Sequence, residues 1–561
     1  MKVYYAKTDE HHDMEGVYLR LDNFGTKFSA PWDDFGYIVT FNAELYEDGC
    51  SWFLGAIKFL VKNETNTATF FEKEGEKTKS DLIFDVTNLL NITSSVSSAQ
   101  ELDYYRKVKS IFKTTERVDK YLTTICDASF YESESSDFST WDGYSETLMR
   151  DSSSRLAIFK KGYAIANGRY IADKQFSIQL EGLADSFEPI DFTFDATREI
   201  GESRINLLIG KNGVGKTHVL RHLTEIISGL GDEASKWPYF HKLMVIAFSP
   251  FENFYTEPQI LEMLNKKLRG DSKKKDRNKK RKVMAINEYA YIGFKDEKSL
   301  FNVDWPKKVS ARSLESILKY DRDNSWWYDS SRLKILFDTL KLSIEFDCIK
   351  LQNKKGEPIE VYENSQLDPT KFSSPINHDY GIEFYLAGVK KELSSGQLIY
   401  SYMIPSIVSE IEDESLIILD EPELYLHPSM EIGLVEMLRH LLEETSSYAI
   451  IASHSAVLAR EIEKNSIKIL RKNDGRTIIS PPSFETYGAS LEKISKEVFD
   501  DSEIDKPFEE DLNKLIAKAE SIENIIEEHA NDLGDSALIY LATKTLEGND
   551  EAIEIEIEKE S

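Results

Sequence analysis

The chain has little cysteine: three residues in 561, Cys50, Cys126 and Cys348, spread far apart. That spacing makes neither a disulfide framework nor a metal-ligand set, and it suits a reducing compartment. Long apolar runs are missing too. None reaches the roughly 20 residues that a membrane-spanning helix needs. The first residues, MKVYYAKTDEHHDMEG, lack the basic start and apolar stretch of a secretory signal. These absences predict a cytoplasmic protein with no membrane span. Positive charge is scarce as well: 69 Lys and Arg stand against 98 Asp and Glu, for a formal net charge of −29. That excludes a protein whose whole surface coats nucleic acid, although it leaves room for a local basic patch. No internal repeat and no long heptad array occur.

What is present predicts two or three domains. Residues 1–150 read as β-rich. WDDFGYIVTFNAELY (Trp32 to Tyr46) and CSWFLGAIKFLVK (Cys50 to Lys62) are aromatic and β-branched and flank a turn-like EDG. LIFDVTNLL (Leu82 to Leu90) predicts a third strand leading into a short helix, and ELDYYRKVKSIFKTTERVDKYLTTI a helical stretch. YESESSDFST (Tyr131 to Thr140) predicts a loop or linker. The adjacent His11 and His12 make a poor metal site without further ligands. Residues 151–480 predict an α/β domain with a helical insertion, a lid, over about 252–388, and 481–561 a small acidic region that could bind a partner.

The chemistry begins at GKNGVGKT, Gly210 to Thr217. An apolar β-branched segment (Ile205 to Ile209) precedes it, and HVLRHLTEII follows with helical spacing. Strand, glycine loop and helix together give a P-loop its meaning. Gly210, Asn212, Gly213 and Gly215 let backbone N–H groups turn toward phosphate oxygens. Lys216 is expected to reach the β- and γ-phosphates, and Thr217 to offer a hydroxyl to Mg²⁺. Downstream, SLIILDEPE reads as a buried strand ending in Asp420, a carboxylate for the metal, and Glu421, a base for the attacking water. LSSGQ opens a helix. Ser394, Ser395, Gly396 and Gln397 are expected to form an anion site for a γ-phosphate. YAIIASHS delivers His454 at a strand end, positioned to meet the γ-phosphate or to orient Glu421 and water.

In that order, these four pieces resemble an ABC-type ATPase: Walker A, signature, Walker B with its glutamate, and switch histidine, over roughly Phe176 to Ser480. FSIQLEGL and PIDFTFD (from Phe176 and Pro189) read as a hairpin feeding the P-loop strand. The resemblance implies ATP and Mg²⁺ as cofactors. It also implies at least a homodimer, because in this class the signature of one subunit caps the nucleotide held by the other. ELYLHP (Glu423 to Pro428) corresponds to the segment that crosses the interface. One departure stands out. The strand LMVIAFS should lead to a glutamine linking the metal to the helical lobe, but SPFENF follows, and Gln259 lies some residues later.

The absence of a span argues against a transporter, and the absence of heptads against SMC-type arms. DEPELYLHP together with ASHS resembles the OLD-like ATPases of bacterial defence systems. Many of those carry a TOPRIM nuclease after the histidine, which needs a glutamate near a glycine turn and a later Asp-x-Asp. Neither pattern follows Ser455, and no HNH constellation occurs. The chain therefore reads as an ATPase subunit without its own nuclease. It resembles the Septu-type ATPases, which work with a separate HNH nuclease, and the partner implied is an effector of HNH or TOPRIM type. A DNA repair or maintenance ATPase is the alternative. KKKDRNKKRK, Lys273 to Lys282, is either a loop contacting DNA or RNA phosphates or a solvated charge run. EAIEIEIEKES alternates Ile with Glu, which fits a strand added to a partner's sheet edge or a disordered tail.

Overall fold

The computed structural model describes all residues except 10–13, 23–35, 132–136, 150–151, 185, 199, 202–203, 232–239, 271–287, 325–330, 366–374, 500–506, 520 and 546–561. The histidine pair, the basic run and the alternating tail therefore lie outside the described residues. The chain divides into two units, Met1–Ala489 and Ser490–Ser561.

At the centre of the first unit is a seven-stranded sheet. Its order is Glu288–Gly293, Lys242–Ala247, Leu416–Asp420, Tyr448–Ser453, Ile205–Gly210, Ile467–Asn473 and Arg476–Ser480. All neighbours are parallel except the last pair. Four of these strands, at 205–210, 242–247, 416–420 and 448–453, are buried along their whole length. That is why they read as apolar runs rather than alternating ones. The chain fold is α/β, with the P-loop at the end of a central strand. The hairpin Gln175–Leu180 with Ile190–Asp195 forms as expected. Its connection brings Phe187 beneath the P-loop, where a Cβ on Gly215 would meet the ring at 2.5 Å.

The insertion is only partly helical. Helices Glu257–Gly270, Trp305–Asn324 and Arg332–Lys341 are there, but Glu288–Gly293 joins the main sheet as an edge strand. Cys348–Gln352, Pro358–Val361, Glu383–Leu386 and Val389–Lys390 build a separate antiparallel sheet just before LSSGQ. These strands are short and polar on one face, so they carry little apolar signal.

The N-terminal part holds its own seven-stranded sheet, with helices Leu102–Phe112 and Thr115–Thr124 where one helical stretch was expected. Lys113 adopts a left-handed conformation (φ 58°) and divides the two. The aromatic core, including Tyr5, Phe41, Phe59 and Tyr105, takes in Ile158, Phe159 and Ile165 from helix Ser152–Ala166. This core thus runs past residue 150. It is tied to the head by ion pairs. Arg106 pairs with Asp413, and Lys161 with Glu414, which also accepts from the Tyr170 hydroxyl. Asp413 and Glu414 lie in the short connector between helix Ser395–Glu410 and strand Leu416–Asp420.

The second unit is a set of helices, Leu491–Phe499, Pro507–Ile516 and Ile522–His529, with a small core around Leu512, Ile525 and Leu541.

Candidate nucleotide site

Register brings the sequence motifs to one sheet end. Asp420 stands opposite Ala452, and Ile209 opposite Ser453. The carboxyl ends of three adjacent strands therefore deliver Asp420, His454 and the P-loop side by side, where open α/β sheets bind ligands. Gly213 (φ 79°) and Gly215 (φ 104°) adopt the left-handed backbone that lets the loop curl. Helix Lys216–Ile227 starts from Gly215 with no side-chain cap on its first N–H groups. An uncapped helix start beneath a glycine loop fits a phosphate. The Lys216 ammonium folds back over the loop and donates to the carbonyls of Gly210 (3.1 Å) and Lys211 (3.4 Å). Burial lowers its pKa, and the carboxylates of Glu421, Asp420 and Glu423 oppose that shift.

Thr217 Oγ1 lies 3.1 and 3.0 Å from the two carboxylate oxygens of Asp420. Asp420 is only 3% exposed, and burial pushes its carboxyl up to about 7, a shift that the Thr217 hydrogen bond opposes. A desolvated carboxylate with a hydroxyl beside it fits a divalent cation, whose charge would offset the cost of burial.

Glu421 sits in left-handed backbone (φ 47°, ψ 52°), which turns its side chain back over the strand end. Its Oε1 is 3.2 Å from His454 Nε2, and that same nitrogen is 2.6 Å from Lys216 Nζ. The His454 hydrogen bond holds the Glu421 carboxyl below its ordinary range, against its partial burial, and Lys216 adds to the effect. Nε2 has one in-plane hydrogen position. It accepts from the ammonium when bare and donates to the carboxylate when protonated, but it cannot do both at once.

The signature residues are organised differently. Ser394 and Gln397 form a capping box at the start of helix Ser395–Glu410. Gln397 Nε2 also donates to the Ser343 carbonyl at 2.6 Å. Its side chain is thereby committed within the chain. Ser394 and Ser395 are exposed, while Gly396 is buried against the Tyr425 carbonyl. The capping box and the Ser343 bond tie LSSGQ to its own helical lobe rather than to the P-loop of its own chain. Gln259 is also committed: its Oε1 accepts from Thr256 N (2.9 Å) at the start of its helix. It links nothing to the metal site. Glu252, at the end of SPFE, is engaged by Tyr291, Lys295 and Phe254 N.

Two further acids come close, and the sequence reading gave them no role in the site. Glu423 Oε1 accepts from Ser453 Oγ (2.8 Å) and from His454 N (2.5 Å). Glu431 accepts from Ser455 Oγ. Burial raises the pKa of both. The only sequence signal was their position on either side of LHP.

Fold and site together define an α/β P-loop nucleotide site, and its motifs resemble those of the OLD-like ATPases. Residues 205–460 match the family described as "AAA domain, putative AbiEii toxin, Type IV TA system". Protein ea59 of Escherichia phage lambda is 27% identical over 385 residues, covering 65% of this chain and 67% of that protein. The Old nuclease of Escherichia phage P2 is 28% identical over 197 residues, covering 32% of this chain and 30% of the nuclease. Among solved structures, the SMC head domain from Thermotoga maritima aligns over 56% of this chain and all of its own at 12% identity, with a TM-score of 0.27. Among the described residues, no helix is long and apolar enough to cross a membrane.

Proposed function

We propose that the chain binds ATP with Mg²⁺ and hydrolyses it in a homodimer, and that this cycle governs an effector partner in an antiviral defence complex. The observation that carries the hydrolytic reading is the row Lys216–His454–Glu421 beside the Thr217–Asp420 pair.

When bound, the magnesium nucleotide supplies the phosphoryl group whose transfer to water is the reaction. Thr217 and Asp420 would hold the metal. Gly213, Gly215 and the start of the following helix present N–H groups to phosphate oxygens. Lys216 would leave the Gly210 and Lys211 carbonyls for the phosphates. That frees His454 Nε2 to donate to Glu421, which orients the carboxylate as the base for water. In this reading the exposed Ser394 and Ser395 serve the nucleotide of a second copy, with Glu423 to Pro428 alongside them. Hydrolysis then loosens the pair. Phosphate release by the purified chain tests the catalytic reading: the expected result is Mg²⁺-dependent turnover that Lys216→Ala abolishes, and equal turnover in that variant overturns it.

The defence reading rests on the OLD-like motif set, DEPELYLHP together with ASHS. Its test is phage plating on cells that express the chain with its gene neighbours. Plating should fall with wild type and recover with Lys216→Ala. Unchanged plating would favour the DNA maintenance reading.

A further inference from the structure

Glu423 touches neither the P-loop nor the metal pair, yet it is engaged by the turn that carries His454: both contacts of its Oε1 are made there. It lies in the 3₁₀ turn Pro422–Tyr425, directly after Glu421 and Pro422. Its Oε1 accepts two hydrogen bonds from the turn after strand Tyr448–Ser453: Ser453 Oγ at 2.8 Å and the backbone N–H of His454 at 2.5 Å. Its Oε2 is shut off from solvent with no hydrogen-bond donor. A buried carboxyl oxygen without a partner is costly, and burial raises the pKa of Glu423. The two Oε1 contacts need only an acceptor, which a neutral amide also supplies.

The other end of the same turn is held in the same way. Ser455 Oγ bonds Glu431, at the start of helix Pro428–Glu444, and also accepts from Val457 N and Leu458 N. His454 is thus gripped from both sides by acids that flank Leu426, His427 and Pro428. Its imidazole nitrogen Nε2 faces the two groups between which it must choose, Lys216 and Glu421.

We propose that Glu423 is the positioning residue of the site. It fixes the backbone of His454, so that a shift of the Pro422–Pro428 segment moves the imidazole relative to Glu421. The proposal rests on the hydrolytic reading above and adds a direction to it. Leu424 and Tyr425, next to Glu423, are 47% and 38% exposed. Contact made on that surface by a second copy of this chain is passed to the histidine through one carboxylate. Tyr425 also lies against Gly396 of the signature helix, so the start of that helix and the histidine turn lean on the same short segment.

The test compares Glu423→Ala and Glu423→Gln with wild type by two measurements. The first is steady-state ATP hydrolysis alongside nucleotide affinity. Loss of the anchor displaces a group by a fraction of an ångström to an ångström, which costs about 100-fold in turnover. Glu423→Ala should lose turnover on that scale and keep nucleotide affinity within about threefold. Glu423→Gln, which can still accept both hydrogen bonds, should recover most of the turnover. The second is hydrogen exchange of the peptide spanning residues 452–457 in the nucleotide-free protein, which should quicken in Glu423→Ala and not in Glu423→Gln. This second measurement needs no hydrolysis, so it judges the anchor even if the wild-type chain proves inactive and the hydrolytic reading falls. Unchanged exchange at 452–457 in Glu423→Ala overturns the proposal. So does a parallel loss of affinity, turnover and global protection in both variants, which would mark Glu423 as a general structural residue.

Discussion

Lys216 Nζ lies 2.6 Å from His454 Nε2, a contact that joins the P-loop to the end of a neighbouring strand. The same nitrogen faces Glu421 at 3.2 Å. Removing the imidazole therefore frees the lysine and strips Glu421 of the hydrogen bond that most lowers its pKa. His454→Ala should cut turnover by roughly 100-fold, the scale of a positioned acid–base group. It should also move the acidic limb of the kcat profile upward in pH, because the unassisted carboxylate takes up its proton at higher pH. Turnover measured from pH 5 to 9 checks both, and an unmoved limb would detach His454 from Glu421.

Asp420 gives a stability prediction with a defined sign. Burial pushes its carboxyl up to about 7 in the folded chain, from an ordinary value near 3.8. Between those values the folded state binds more protons than the unfolded one, so this group's contribution to stability falls as pH rises from about 4 to about 7. Asp420→Asn removes the buried charge. Without metal or nucleotide, the variant should be more stable than wild type at pH 8, by on the order of 3 kcal/mol, and the gap should close toward pH 4. Urea unfolding at the two pH values measures it.

Two glycines separate loop chemistry from assembly. A Cβ on Gly215 would strike Phe187 and would sit on φ 104°, so Gly215→Ala should abolish nucleotide binding. A Cβ on Gly396 would run into the Tyr425 carbonyl instead. Gly396→Ala should keep nucleotide binding by the single chain and lose ATP-dependent self-association. Nucleotide titration and light scattering on both variants separate the two effects.

The N-terminal sheet's hold on the head is also measurable. Arg106 pairs with Asp413, and Asp413 is mostly buried, with a side chain 13% exposed. Arg106→Ala leaves that carboxylate without its cation and should cost roughly 2 kcal/mol in urea unfolding. Arg106→Ala combined with Asp413→Asn should recover part of it.

The strand–loop–helix at 205–227 and the hairpin before it were legible because apolar period, glycines and helical spacing all agreed locally. The roles of side chains were harder to read, since a polar group's partner lies wherever the fold brings it. Gln259 lies past the strand end where a link to the metal was expected, and Thr256, three residues away, claims it as a cap. Gln397 sits in the signature motif, but its capping box and Ser343 use it up. Nothing local in the polar stretch IEDES, residues 411–415, announced that Asp413 and Glu414 would pair with cations more than 250 residues earlier. Glu423 was visible inside PELYLHP, but its partner, the N–H of residue 454, is a backbone group on another strand that no side-chain pattern reveals.

The most direct test is Glu421→Gln, purified beside wild type and incubated with ATP and Mg²⁺. Released phosphate, retained nucleotide and mass by light scattering are read on the same samples. The account predicts that wild type releases phosphate, whereas Glu421→Gln keeps ATP bound and accumulates as a dimer. Equal phosphate release by the two proteins, or no nucleotide retained by the variant, would contradict it.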